Sequence, residues 1–145
     1  MAVLGVQMMM LRQQVADEGM WAVLQRLKEL DVDAVEVSQI PMDETNTAAL
    51  EQGINELGIQ VGALSVALKP GPTATGDNLE EHYDKVVADC RRLGTRFVRI
   101  GMMPFTAMVS KEACESWAAE CEPAAEYRYG SGRTIDNPAG FGEYA

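Results

Sequence analysis

The sequence predicts an α/β fold of parallel strand–helix repeats, and three observations carry that reading. A stop followed by a β-rich run occurs three times: Leu30-Asp31 before 32–37, Leu57-Gly58 before 59–66, and Leu93-Gly94 before 95–100. The stops stand 57 − 30 = 27 and 93 − 57 = 36 residues apart, room for a strand, a helix and two loops. Segments with helical apolar spacing fill the intervals. A chain of 145 residues, 47% apolar and 23% charged, has the length and composition of one globular domain.

Val3–Met8 opens the chain as an apolar strand without the basic leader of a secretory signal. Asp17–Leu30 follows as a helix with Met20, Val23, Leu24, Leu27 and Leu30 inward. The stop after it needs a left-handed residue, which Gly supplies freely and Asp tolerates less well. After the second strand, Thr47–Leu57 places Leu50, Ile54 and Leu57 on one helical face. Beyond the third strand, Asp77-Asn78-Leu79-Glu80 reads as a capping box for a helix to Leu93. Ser110 caps a fourth helix with Glu112 in its first turn, and Pro123 is expected to end it. The organisation expected is four β/α units over residues 1–126 and a glycine-rich irregular tail over 127–145.

Charge and cysteine content narrow the partners. Twelve basic against 22 acidic residues leave −10, which argues against a nucleic-acid backbone or an anionic membrane as partner. No apolar run approaches the roughly 20 residues of a membrane helix. Cys90, Cys114 and Cys121 have no metal-site spacing and read as reduced thiols of a cytoplasmic protein.

Strand alternation identifies the candidate site. If the valines of Val35-Glu36-Val37-Ser38 face helices, Glu36 and Ser38 face the other way. By the same parity Gln7 and Arg99 share that face. An open doubly wound sheet is apolar on both faces, so recurring polar groups on one face favour part of an eight-stranded barrel. Glu36 and Arg99, on the second and fourth strands, are expected to form a buried ion pair whose disruption costs about 3–5 kcal/mol. Lys69, in the loop after the third strand, reads either as a solvated loop lysine or as a contact for an anionic ligand. Gly71 and Gly76 have phosphate-loop spacing, but Asp77-Asn78 replaces the Lys-Ser/Thr pair, so that motif is rejected. His82, the only histidine, is expected exposed in the first turns of a helix.

The runs Leu4–Arg12, Asp33–Ser38 and Leu93–Ile100, in this order and spacing, resemble the sugar phosphate isomerase/epimerase family of the xylose-isomerase-like TIM barrels. The resemblance covers about residues 1–126 and implies roughly half of a TIM barrel, the complete barrel being about twice this length. It implies a divalent metal (Mn, Mg, Co or Zn) on later strands that drives proton transfer through an enediol-type intermediate. This chain then reads as an N-terminal half, a short form without the metal site and inactive alone, with no catalytic residue assigned. Its expected ligand is a sugar or polyol held by Gln7, Glu36, Ser38, Lys69 and Arg99. A homodimer through the open sheet edges is expected. The alternative is a non-catalytic α/β module that binds a sugar or polyol.

Overall fold

The structure, a computed structural model, describes residues 3–71, 76–101 and 103–130. It forms two compact units, Met1–Gly101 and Met102–Ala145. The first contains a four-stranded parallel sheet: β1 (Gly5–Gln7), β2 (Ala34–Ser38), β3 (Gln60–Val66) and β4 (Val98–Ile100), adjacent in chain order. Helices α1 (Arg12–Glu18), α2 (Met20–Glu29), α3 (Glu44–Gln52) and α4 (Tyr83–Arg92) form the connections. Parallel crossovers advancing in one direction with one hand place their helices on one face. Burial follows: Val35, Val37, Val61 and Leu64 of the strands join Val23, Leu24, Leu27, Leu50, Val86 and Cys90 in the core. The α/β class and the parallel repeats expected from the sequence are present.

All three stops take the left-handed conformation, with φ of 58° at Asp31, 68° at Gly58 and 65° at Gly94. Only Asp31 carries a Cβ there, and a side chain in this region costs energy that glycine avoids. Asp31→Gly is therefore expected to stabilise the fold by about 0.5–1 kcal/mol, read as a raised thermal midpoint.

Several element boundaries differ from expectation. The first helix is broken at Gly19, whose φ of 87° separates α1 from α2, so the apolar spacing marked only the second part. The helix of the second crossover, α3, starts at Glu44 and is capped by Asp43, whose side chain accepts the Asn46 N–H at 2.9 Å; it ends in a π-type turn, Gly53–Leu57. Asp77–Glu80 does not open α4, which begins at Tyr83. Asn78 is instead buried beside β3, bridging to Ala67, and its Oδ1 accepts the Glu81 N–H at 2.9 Å. His82 is half-buried rather than exposed, its Nδ1 accepting from the Asn78 backbone N–H at 3.3 Å.

In the second unit, α5 (Lys111–Gly130) starts as expected, with Ser110 Oγ accepting the Ala113 N–H at 3.1 Å. It does not stop at Pro123 but continues to Gly130, four residues into the segment expected to be irregular. Proline removes one donor from the ladder, while the surrounding Ala and Glu residues are strong helix formers. The rest of that segment, 131–145, lies outside the described residues, as do positions 72–75 of the Gly71–Gly76 motif. Cys90, Cys114 and Cys121 form no disulfide. No helix among the described residues is long and apolar enough to cross a membrane.

Candidate functional site

The strand face turned away from the core carries the polar groups that alternation assigns to it. Gln7 on β1 pairs in register with Glu36 on β2, and Glu36 with Ala63 on β3. Ser38 stands opposite Ser65, which in turn stands opposite Arg99 on β4. A register shift between Val35 and Glu36 lets β3 absorb Gly62 as an extra residue, returning Ala63 and Ser65 to the polar face.

Two hydrogen bonds and an ion pair converge on one carboxylate oxygen. Glu36 Oε1 accepts from Gln7 Nε2 at 2.9 Å and from Arg99 Nε at 2.8 Å, and Arg99 Nη2 stands 2.7 Å from it in an ion pair. Arg99 reaches Glu36 over β3, where Ala63 and Ser65 are small enough to leave the path open. Its Nη1 donates to the Gly101 carbonyl at 3.3 Å. Glu36 Oε2 takes no donor among the described residues. A guanidinium has five N–H donors, so Arg99 keeps further hydrogens for a ligand.

The ion pair expected between the second and fourth strands therefore forms, but it is not buried. The side chains retain 28% (Glu36) and 44% (Arg99) of their exposure. Solvent screens such a pair, and its contribution falls to about 1 kcal/mol rather than the 3–5 of a buried pair. Alternation tells which face a side chain takes; it does not tell what covers that face.

The other candidates lie at the same end of the sheet in different settings. Ser38 ends β2 and is buried. Lys69 is exposed in the bend after β3. Gln39, directly after Ser38, has a φ of 54°, and its Oε1 accepts from Arg12 Nη1 at 2.8 Å, tying the start of α1 to the end of β2. Lys85 joins the loops that follow β2 and β3, donating to the Met42 carbonyl at 2.7 Å and to Asp77 at 2.5 Å. Partial burial works against its ammonium, but bonds to Asp77 and Asp89 prevail and raise its pKa.

Two participants, Ser65 and Gln39, escaped the sequence reading, and the close approach at Gly101 adds to its place on the polar face. Ser65 was read as ordinary strand, and Gln39 has no local signal for its left-handed backbone. Gly101 ends the β4 run so closely against β3 that a Cβ there would lie 2.7 Å from Ser65 Oγ. A glycine after a strand is the signal that a neighbour approaches closely. Comparison with known proteins finds no matching family model, no matching curated protein and no matching solved structure.

Proposed function

We propose that this chain binds a sugar or polyol on the polar strand face, and that its four strands form an arc of an isomerase/epimerase-like TIM barrel. The observation that carries the reading is the cluster of Gln7, Glu36 and Arg99 on one face of the parallel strands, with Ser38 at the C-terminal end of β2. Glu36 Oε2 is an acceptor for one ligand hydroxyl, and the remaining Arg99 hydrogens are donors to its neighbour. That pairing matches a vicinal diol, each hydroxyl both donating and accepting. Ser38 and Ser65 extend the polar lining, and Lys69 stands where a charged substituent on the ligand would reach the loop. The C-terminal end of such strands is where ligands of parallel α/β folds collect. Three cysteines without a disulfide support a reducing, cytoplasmic setting.

The divalent metal of the resembled family does not fit the described side chains. Among the described residues no three His, Cys, Asp or Glu gather. The carboxylate on the polar face, Glu36, is already neutralised by a guanidinium, which repels a second cation. The role assigned to these residues is therefore binding and orientation, with no proton-transfer step. A carboxylate oxygen that takes no donor among the described residues, as Glu36 Oε2 does, also suits a proton acceptor, which keeps enediol-type isomerisation as the second reading.

Titration calorimetry of the chain with pentoses, hexoses, inositols and their phosphates, each with and without EDTA, tests the proposal. Saturable binding that survives the chelator is expected. Absence of binding across the panel contradicts the proposal, and binding abolished by EDTA contradicts the stated misfit to metal. Metal-stimulated exchange of ligand hydrogen with solvent deuterium would favour the second reading.

A further inference from the structure

We propose that two copies of this chain close edge to edge, β4 of each against β1 of the other, into one eight-stranded parallel barrel with a shared charged tier. The inference rests on the barrel reading of the strand layer given above, and not on the identity of the ligand.

The sheet presents the two edges that such closure needs. Among the described residues β1 pairs only with β2 and β4 only with β3. Because all four strands run in one direction, a two-fold axis along that direction sets β4 beside the partner's β1 in parallel. The same operation sets β1 beside the partner's β4. The strand order then runs through both copies and returns to its start, which removes both unpaired edges. Four and four make the eight strands at which side chains just fill a barrel. Apolar side chains flank both edges in the single chain: Val3 is 57% exposed, Leu4 58% and, ahead of β4, Phe97 54%.

Charge selects a second copy as the occupant. In an eight-stranded parallel barrel, alternate strands contribute the side chains of one interior layer. The even strands of the closed assembly are β2 and β4 of each copy, so that layer contains Glu36, Arg99, the partner's Glu36 and the partner's Arg99. Around the ring the charges alternate, and each stands between two of opposite sign. Within one chain half of that pattern already exists, since Arg99 crosses β3 to bind Glu36 Oε1. The unmatched halves are complementary. Glu36 Oε2 takes no donor among the described residues, and Arg99 retains 44% exposure with hydrogens to spare. Across each new seam the partner's β1 intervenes, bringing Gly5, which leaves space, and Gln7, whose amide already serves Glu36. Glu36 Oε2 and the spare Arg99 hydrogens are also the groups proposed above to hold a ligand, so closure and polyol binding compete for them.

Light scattering after size exclusion, at physiological salt, reads the assembly of the full chain, combined with charge variants. A concentration-dependent species of twice the chain mass is expected. Glu36→Arg and Arg99→Glu should each weaken self-association at least tenfold. A mixture of the two should associate again, because one chain then brings two cations and the other two anions to both seams. The double variant Glu36→Arg/Arg99→Glu should dimerise alone, and its thermal melt checks folding. Should the single variants unfold, hydrogen exchange on the unaltered chain decides: amides of 5–7 and 98–100 must gain protection with rising concentration. A chain that stays monomeric at several hundred micromolar overturns the proposal. So do open-ended oligomers, a dimer without added protection at those amides, or single variants that pair as well as the unaltered chain. Polyol binding measured on the same samples keeps the two proposals separate, since a chain that stays monomeric without ligand and still binds a polyol refutes the closure alone.

Discussion

Leu24→Ala is expected to lower the free energy of unfolding by about 3 kcal/mol, and adding Gly53→Ala should recover part of that loss. Leu24 is fully buried on α2, and truncation there removes apolar contact and leaves a cavity that the neighbouring helices fill only in part. Gly53 lies where α3 passes into its π-type turn, with φ of −60° and ψ of −37°, so its backbone suits any residue. What requires glycine there is space: a Cβ would stand 2.7 Å from Leu24 Cδ1. Two effects of alanine at 53 oppose each other. Helix propensity favours it over glycine by about 1 kcal/mol, while overpacking against Leu24 costs about 1–3 kcal/mol. Removing the Leu24 methyls leaves the first effect and deletes the second. Chemical-denaturation curves for both single variants and the double should therefore show a coupling of about 1–3 kcal/mol. Strict additivity would mean that α2 and the Gly53 turn do not share this part of the core.

Glu36→Ala carries the largest expected effect on binding, a loss of polyol affinity of at least about tenfold, or 1.4 kcal/mol. Its carboxylate both receives a ligand hydroxyl and gathers the side chains around it, because Gln7 and Arg99 converge on Oε1. Without it, two donors lose their common acceptor and the guanidinium swings into solvent. Glu36→Gln keeps an acceptor oxygen and the volume, so its loss should be smaller. Folding stability should fall by only about 1 kcal/mol in either variant, since the pair is solvent-screened. Calorimetry and melting curves on the same samples separate the two effects. Unchanged affinity in Glu36→Ala would remove Glu36 from the binding site.

The parts of this fold that were legible in the sequence are those set by short-range chemistry. Leu-Asp and Leu-Gly stops at 30–31, 57–58 and 93–94 mark left-handed residues, because few other local patterns end a helix and start a strand. Alternation in 35–38 and 97–101 correctly separated Glu36 and Arg99 from the core-facing Val35 and Val37 and brought them together across 63 positions. What stayed hidden depends on packing between distant segments. Asn78 has the pattern of a helix cap, yet bridging to Ala67 draws it beside β3 and delays α4 to Tyr83. The β3 register shift that admits Gly62 is set by pairing with β2 and has no signature of its own. Gly19 reads equally well as a tolerated helix glycine, and only its φ of 87° reveals a break. Burial of the Glu36–Arg99 pair was overestimated for the same reason, since depth depends on what lies over the face and alternation reports only its direction.

The central claim is that Gln7, Glu36 and Arg99 form one ligand site on the polar face of the sheet. Side-chain nitrogen resonances of Gln7 Nε2 and Arg99 Nε, followed during titration with the tightest-binding sugar or polyol, test it most directly. Both signals should shift together along one saturation curve whose midpoint matches calorimetry, and both should stay still in Glu36→Ala. Saturable binding that leaves these two nitrogens unmoved while perturbing resonances elsewhere would contradict the account.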